Sequence, residues 1–359
     1  MGENLQDIRL IRWIEDRWKA TKHNLSSSGL PEPVLSQMGV DTSFERMKKD
    51  APDPVLFFRE RLCDLYGFPE KNVFLTTGGS ESIQLMSLLA KTKHLPVFVG
   101  LPEYEPIFTV PESLGNPTHI AGFDSIEQLM ETNSGKKAFF FSNPNNPLGN
   151  FHRNEFLQSI RERQFRSGGF MYADEAFLEF SFKTKPRSFY EDSTEILVNG
   201  SMTKFYGFSA FRVGWIVGPE EDMRTLRNLR NITGIRNPEY PLWIAGQFLE
   251  NRRRFLERAE KIVRPNLEIL RKFIKEHEAL SWEEPASAAY ALINYSYKMD
   301  SEKLCQDAFD QEKILIDPGD YFGAPGSFRL CFTEEPEKFK ESLTALDSFL
   351  SGIPNQDIS

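Results

Sequence analysis

Apolar residues recur along the chain with two spacings, one typical of helices and one typical of buried strands. A stripe with intervals of three or four residues predicts an amphipathic helix over residues 5–19, and it consists of Ile8, Ile11, Ile14 and Trp18. A second helical pattern covers residues 54–66. Short apolar runs bounded by turn-forming residues predict strands at 72–77, 96–100, 138–142, 169–173, 196–199 and 213–217. Because helical segments lie between these runs, we predict a mostly parallel sheet with helices on both faces.

The pattern changes after residue 240, where charged helical segments replace the alternation of strands and helices. Residues 241–280 predict a long helix that is interrupted at Pro265. Beyond it, strand-like and helical segments follow at 288–295, 301–310, 328–332 and 335–351. At 359 residues the chain is long enough for two domains. We therefore predict a large α/β domain over residues 46–245 and a smaller α+β domain built from 1–45 and 246–359.

Composition and charge narrow the class of protein. Hydrophobic residues make up 40% of the chain and charged residues 26%, which is ordinary for a soluble globular protein. The formal net charge of −9 argues against a nucleic-acid partner or an anionic membrane surface. The three cysteines are widely spaced and support neither a disulfide framework nor a metal site. The N-terminal segment lacks the apolar core of a signal peptide, so we expect a cytoplasmic protein.

Several residues with useful chemistry follow the predicted strands, at the points where the strands leave the sheet. They are Gly79, Tyr104, Asn146, Asp174 and Lys204. In a parallel sheet with helices on both faces, ligands bind beyond the carboxyl ends of the strands. The pattern therefore predicts a ligand site that contains these residues.

A glycine turn joins the strand at 72–77 to the next helix. Gly78 and Gly79 permit a tight turn, and helical spacing begins at Ser80. The unpaired N–H groups and the positive end of the helix dipole suit a phosphate group. The alternative is an ordinary helix start at which Ser80 caps the backbone.

Lys204 lies between hydroxyl residues on a loop that follows a buried strand, where it could be a nucleophile or a surface lysine. Pyridoxal 5′-phosphate needs an amine for a Schiff base and an acid beside its ring nitrogen, and Lys204 and Asp174 can supply them. Asn146 can donate to the ring hydroxyl, and Tyr104 can stack on the ring. Candidate groups for the phosphate are Gly79, Ser80, Ser201, Thr203 and Arg212.

Each of these residues also has a purely structural interpretation. Asp174 could end a solvated strand, Tyr104 could be a core aromatic residue, and Arg212 could form a surface ion pair. Asn146 lies between prolines and could stabilise a turn. Their occurrence together, in the order that the cofactor requires, favours a cofactor site.

Four segments together resemble the class I and II aminotransferases that depend on pyridoxal phosphate. NPNNPLG resembles the family's N-P-x-N-P-T-G loop, YADEAF its D-E-A-Y/F strand end, and SMTKFYGFSAFRVGW its S-x-[ST]-K…R-x-G segment. PGDYFGAPGSFRLCF resembles the C-terminal signature, which places Arg329 where the family binds the substrate α-carboxylate. The resemblance covers residues 22–350 and implies the fold-type I architecture, a Schiff base at Lys204 and a homodimer. It is strongest to histidinol-phosphate aminotransferases and threonine-phosphate decarboxylases.

The resemblance also implies an activity. We expect an enzyme that moves an amino group between a 2-oxo acid and an L-amino acid, or a phosphorylated amino acid or amino alcohol. The alternative is a decarboxylase or lyase of the threonine-phosphate decarboxylase type. A regulatory module that binds the cofactor without turnover is a third interpretation, which the acidic chain disfavours.

Some positions depart from the family pattern. Phe177 stands where family transaminases usually carry a tyrosine that donates to the cofactor. Phe44 stands near the place of a tyrosine that usually reaches the cofactor phosphate of the neighbouring subunit. HNLSSSGLPEP resembles the N-terminal segment that covers the substrate, which places Gly29, with Asn146, beside the substrate.

Overall fold

The computed structural model describes residues 6–193, 195–234 and 236–353, and for residues 164–167 only the backbone. The strands, numbered along the chain, are β1 (His23–Asn24), β2 (Val73–Thr76), β3 (Val97–Leu101), β4 (Thr118–Gly122), β5 (Ala138–Ser142), β6 (Phe170–Asp174), β7 (Ile196–Ser201), β8 (Gly214–Val217), β9 (Leu280–Trp282), β10 (Tyr290–Tyr295), β11 (Ile314–Leu315), β12 (Asp317–Pro318) and β13 (Ser327–Cys331). The helices are α1 (Arg9–Arg17), α2 (Phe44–Asp50), α3 (Pro54–Tyr66), α4 (Gly79–Thr92), α5 (Glu105–Ser113), α6 (Phe123–Thr132), α7 (Asn154–Ser167), α8 (Glu220–Thr233), α9 (Glu239–Glu250), α10 (Arg252–Glu276), α11 (Ser301–Glu312) and α12 (Pro336–Ser351).

Strands β2 to β8 form one sheet in the order β2-β8-β7-β6-β5-β3-β4. Neighbouring strands run parallel, except that β8 is antiparallel to both β2 and β7. The mostly parallel sheet is therefore confirmed. Strand β5 has the sequence AFFFS and is buried at every position, as expected for a strand covered by helices on both faces. Strand β4 escaped prediction because it lies at the sheet edge, is partly exposed and carries no continuous apolar run.

The helical segment after the large sheet differs from its prediction. The predicted interruption at Pro265 is wrong, because α10 continues through that residue. Proline removes one backbone donor, but Ile262 and Leu270 on either side of it are buried and keep the helix packed. The chain instead breaks at Asn251, between α9 and α10.

The C-terminal part carries a second sheet, and the N-terminal segment pairs with this part. Strands β12, β13, β10 and β9 form an antiparallel sheet in that order. Strand β1 pairs in parallel with β11, with His23 opposite Ile314. The division into a large domain at 46–245 and a small one from 1–45 and 246–359 stays a prediction. In the described part of the chain, no helix is both long and apolar enough to span a bilayer.

Candidate active site

The carboxyl ends of the parallel strands open into a cavity of about 280 Å³, close to the lower end of the roughly 300–1,000 Å³ typical of ligand pockets. Every site residue predicted from the sequence lines this cavity: Gly29, Gly79, Ser80, Tyr104, Asn146, Asp174, Ser201, Thr203, Lys204, Arg212 and Arg329. The structure thus brings the predicted residues together. Their individual roles stay predictions.

Lys204 lies on the loop after β7, and its amine points into the cavity. Its Nζ donates a hydrogen bond of 3.0 Å to Ser28 Oγ and lies 5.6 Å from the centre of the Phe177 ring. Burial, reinforced by the positive charge of Arg329, lowers the pKa of Lys204 to about 8. A lysine with a pKa in this range can be neutral near physiological pH, as a nucleophile or proton acceptor must be.

Gly29 packs against the backbone that carries Lys204. The N–H of the next residue, Leu30, donates to the carbonyl oxygen of Lys204 at 2.9 Å. A Cβ atom at position 29 would lie 3.0 Å from the carbonyl oxygen of Thr203, which is closer than an ordinary contact. Glycine therefore allows the N-terminal segment to approach the lysine loop.

We expect Gly29→Ala to lower the free energy of unfolding by about 1–3 kcal/mol, because the added methyl group pushes the two segments apart. Gly234→Ala is the matched control, since a Cβ atom there meets none of the described residues within 4 Å. Urea denaturation of both variants measures the difference. Equal stabilities would show that the contact at Gly29 is not tight.

Asp174 ends β6 and presents a buried carboxylate to the cavity. It accepts hydrogen bonds from the backbone N–H of Ala176 at 3.0 Å and from Asn199 Nδ2 at 3.1 Å. Asn199 lies opposite it in register on β7. Burial raises the pKa of Asp174, although both hydrogen bonds oppose the shift. Because it is buried, Asp174 does not have the solvated position that its structural interpretation requires.

Two donor groups lie close together at the wall of the cavity. The first is the N-terminus of α4, where Gly78 occupies the cap position with φ 98° and no side chain caps the helix. The interpretation of Ser80 as a cap is therefore wrong. The second is Arg212, which forms no ion pair with any other residue in the described ranges. Unpaired amides and an unpaired guanidinium suit a phosphate dianion.

Glycine is required where these two groups meet. A Cβ atom at Gly78 would lie 2.9 Å from Arg212 Nη2, and one at Gly214 would lie 2.8 Å from the Cα of Gly78. Close by, the hydroxyls of Ser201 and Thr203 are hydrogen-bonded to each other at 2.9 Å. These contacts keep the helix end, the arginine and the hydroxyls at one wall.

Arg329 is buried on β13 and is held by a buried acid. Its Nη2 and Nε lie 2.7 and 3.1 Å from Asp317 Oδ2, and Nη1 donates to Asn146 Oδ1 at 2.8 Å. Ser26 Oγ donates to the other oxygen of Asp317 at 2.6 Å. Burial opposes the charge of Arg329, but the Asp317 carboxylate outweighs it and raises the pKa of the guanidinium. Arg329 is thus a fixed cation at the cavity wall.

Several residues of the site were not predicted. Ser28, Asn199 and Asp317 contact Lys204, Asp174 and Arg329 respectively, as described above. The only sequence signal for Asn199 is its place five residues before Lys204 at the end of the same strand. Ser28 belongs to the segment HNLSSSGLPEP and precedes Gly29, and Asp317 carries no signal.

Glu103 is the other unpredicted residue, and it is completely buried beneath the site. It accepts hydrogen bonds from the backbone N–H groups of Tyr104 at 2.7 Å and Ser142 at 2.8 Å, and from the Ser142 hydroxyl. The Ser142 oxygen in turn accepts from the N–H of Asn146 at 2.8 Å. Burial raises the pKa of Glu103 to about 8. Through these hydrogen bonds, Glu103 connects the segments that carry Tyr104 and Asn146.

Comparisons with known sequences all point to aminotransferases. The model of the family described as aminotransferase class I and II matches residues 49–346. The aspartate aminotransferase of Streptomyces avermitilis is 24% identical over 312 residues, 80% of this chain and 76% of that protein. Nicotianamine aminotransferase B of Hordeum vulgare is 23% identical over 317 residues, 79% of this chain and 56% of that protein. A histidinol-phosphate aminotransferase of Hydrogenobaculum is 29% identical over 186 residues, 50% of this chain and 51% of that protein.

Solved structures with the same fold cover nearly the whole chain. A PLP-dependent aminotransferase from Streptococcus suis has a TM-score of 0.85 at 22% identity, and covers 98% of this chain and 100% of its own. An aspartate aminotransferase from Thermotoga maritima has a TM-score of 0.78 at 18% identity, over 97% of this chain and 98% of its own. These likenesses confirm the predicted fold-type I architecture.

Proposed function

Because the chain belongs to the class I and II aminotransferases, we propose that it is an enzyme that uses pyridoxal 5′-phosphate to move an amino group between an L-amino acid and a 2-oxo acid. The observation that carries the proposal is the cavity in which an amine, a buried carboxylate and a buried guanidinium meet. These are Lys204, Asp174 and Arg329.

The donor set of the cavity fits this cofactor. Among the described residues, none forms a direct ion pair with the buried carboxylate of Asp174, although the charge of Lys204 acts on it from a greater distance. A protonated ring nitrogen would supply a direct partner. The N-terminus of α4 and Arg212 would hold the phosphate. Burial raises the pKa of Tyr104 to about 12, so its ring stays neutral and can pack on an aromatic face. The Asn146 Oδ1 atom accepts a hydrogen bond from Arg329, and the Nδ2 hydrogens of Asn146 would donate to the ring hydroxyl.

The chain's own residues then position the substrate and move its proton. When bound, pyridoxal phosphate draws electrons from the Cα atom of the attached amino acid, which makes the Cα proton acidic. Arg329 binds the α-carboxylate by a charge-assisted contact and so fixes the Cα atom in the cavity. Lys204 Nζ, kept in a low-pKa environment, takes the Cα proton and returns it as general base and acid.

Ser28→Ala is expected to shift the pH dependence of cofactor uptake towards lower pH. Uptake by the cofactor-free protein needs the neutral amine, so its rate should rise with pH around the Lys204 pKa of about 8. The Ser28 oxygen accepts a hydrogen bond from the charged amine and stabilises that form, so its loss lowers the pKa further. Stopped-flow absorbance of cofactor uptake between pH 6 and pH 10 (about the range in which a lysine of lowered pKa titrates) measures the shift.

Ser27→Ala is the matched control, because Ser27 also lines the cavity but does not contact Lys204. Its profile should coincide with that of the unmodified protein. A Ser28→Ala profile that moves to higher pH, or does not move, would contradict a stabilising bond to the ammonium.

We propose that the enzyme is a homodimer and that a second copy covers the surface around Phe44. This residue is 51% exposed on α2, and its ring centre lies 6.3 Å from that of Tyr240. Arg236 and Asn237 line the same groove. Sedimentation equilibrium tests the oligomeric state, and a monomer at micromolar concentration would refute the proposed homodimer.

The three buried, unpaired cysteines support a cytoplasmic location.

The reaction type is tested by incubating the cofactor-loaded protein with a panel of amino acids and 2-oxoglutarate. Aminotransferase activity requires glutamate and the oxo acid of the donor in equal amounts. Carbon dioxide or pyruvate without glutamate would identify a decarboxylase or lyase instead. A protein that takes up the cofactor but forms none of these products would refute the proposed activity altogether.

A further inference from the structure

Part of the apolar stripe of helix α1 borders the active-site cavity, although Ile14 also packs against the core. Ile11 and Ile14 of α1, and Trp18 directly after the helix, line the cavity and follow one another at helical spacing. The buried residues of the helix are Leu10, which also reaches the cavity, and Trp13. Ile11 and Ile14 are only partly buried and Trp18 is 53% exposed. An apolar surface of this kind gains free energy when an apolar group covers it.

Helix α1 is fixed in place by contacts at its first turn and at its middle. The Glu105 carboxylate accepts hydrogen bonds from the backbone N–H groups of Arg9 at 3.1 Å and Leu10 at 2.6 Å. It thereby satisfies the first amides of the helix, which have no partner within it. Trp13 Nε1 donates to the carbonyl oxygen of Ile316 at 3.0 Å. The helix is therefore anchored to the residue after Tyr104 and to the residue before Asp317.

No charged residue of the described cavity lining is left to bind a charged group on the substrate side chain. Among the described residues, the charged lining of the cavity consists of Asp174, Lys204, Arg212 and Arg329. The proposed function uses all four, for the cofactor ring, the amine, the phosphate and the α-carboxylate. A carboxylate or phosphate on the substrate side chain would meet the aliphatic residues of α1 without a cation, and burying an unpaired charge is unfavourable.

We propose that α1 is the specificity element of this enzyme, and that Ile11, Ile14 and Trp18 select amino acids with an uncharged apolar side chain over acidic or phosphorylated ones. The proposal rests on the proposed function, because it assigns the four charged groups to cofactor and carboxylate. The apolar side chain would extend from the Cα atom towards α1. The neighbouring serines of residues 26–28 line the remaining polar edge.

The first test measures binding rather than turnover. Hexanoate and adipate have six carbons each and lack the amine, so neither can react. They differ in whether the far end is a methyl group or a carboxylate, and 4-phosphonobutanoate places a phosphonate there. Isothermal titration calorimetry on the cofactor-loaded protein should show hexanoate binding at least about tenfold more tightly than either dianion.

The second test changes the stripe. Ile11→Lys places a cation in the cavity wall and should tighten adipate by about threefold to tenfold while weakening hexanoate. Ala20→Lys adds the same charge at an exposed position that does not line the cavity, and should leave both affinities unchanged. Thermal unfolding confirms that each variant is folded. If Ile11→Lys does not fold, the smaller change Ile11→Ala should weaken hexanoate and leave adipate unchanged.

Failure of the inference is distinguishable from failure of the proposed function. Tighter binding of adipate or the phosphonate, or equal binding of all three, would overturn the inference while cofactor uptake and glutamate formation still support an aminotransferase. A protein that takes up no cofactor would overturn the proposed function itself.

Discussion

Replacing Lys204 by alanine is expected to lower the rate of amino transfer by at least about 10⁴-fold, the upper end of what one positioned acid–base group contributes. No other lysine lines the cavity within the described ranges, so no second amine can take over. The lowered pKa of Lys204 shows that burying its charged amine is unfavourable. We therefore expect that removing the amine does not lower the free energy of unfolding. The variant should remain folded and inactive.

The control for this variant is a lysine outside the cavity. Lys71 is exposed, and its Nζ is 3.7 Å from Glu220 in a surface ion pair, so Lys71→Ala should change neither activity nor the melting temperature appreciably. Initial rates of glutamate formation and melting curves of both variants check the expectation. A Lys204→Ala protein that retains more than about one hundredth of the activity would show that another group moves the Cα proton.

Arg329→Ala is expected to lower the free energy of unfolding by about 3–5 kcal/mol, because Asp317 would be left buried without its cation. The same variant should weaken binding of hexanoate, or of an amino acid substrate, by roughly 10–100-fold through loss of a charged hydrogen bond to the carboxylate. Urea denaturation and calorimetry measure the two effects separately.

A double variant separates the structural role of Arg329 from its role in binding. Asp317→Asn with Arg329→Met removes both charges, so most of the stability should return, because replacing a buried pair by neutral residues is much less harmful than breaking it. Carboxylate binding should stay weak. If the double variant regained tight binding, Arg329 would be a structural residue only.

The general plan of this enzyme is visible in its sequence because strand ends are local features. Each apolar run stops at a turn-forming residue, and the residue beyond it lies at the same edge of the sheet as its counterparts. For this reason the sequence alone predicts that Asp174 and Lys204 share one site. The same local reasoning predicts that the positive end of a helix dipole lies at the helix start near Ser80.

The partners of the site residues could not be predicted, because they come from distant parts of the chain. Ser28 lies 176 positions from Lys204, and Asp317 reaches Arg329 only through antiparallel pairing of β12 with β13. No periodicity encodes such contacts.

Helix α1 shows a related limit. Its apolar stripe was recognised, but spacing alone does not distinguish a stripe that meets the core from one that meets a cavity. In the structure, Leu10 and Trp13 are buried in the core, Ile11 borders the ligand space, and Ile14 borders it while also packing against the core. The same limitation explains Pro265, whose helix persists because of buried neighbours that sequence rules do not weigh.

The most direct measurement is to map where the cofactor is bound. The purified protein is incubated with pyridoxal 5′-phosphate, reduced with borohydride, digested and analysed by mass spectrometry, with Lys204→Ala treated in parallel. We predict one modified peptide, with the added mass on Lys204, and none in the variant. An unmodified protein, or a modification on a different lysine, would contradict the assignment of this cavity as the active site.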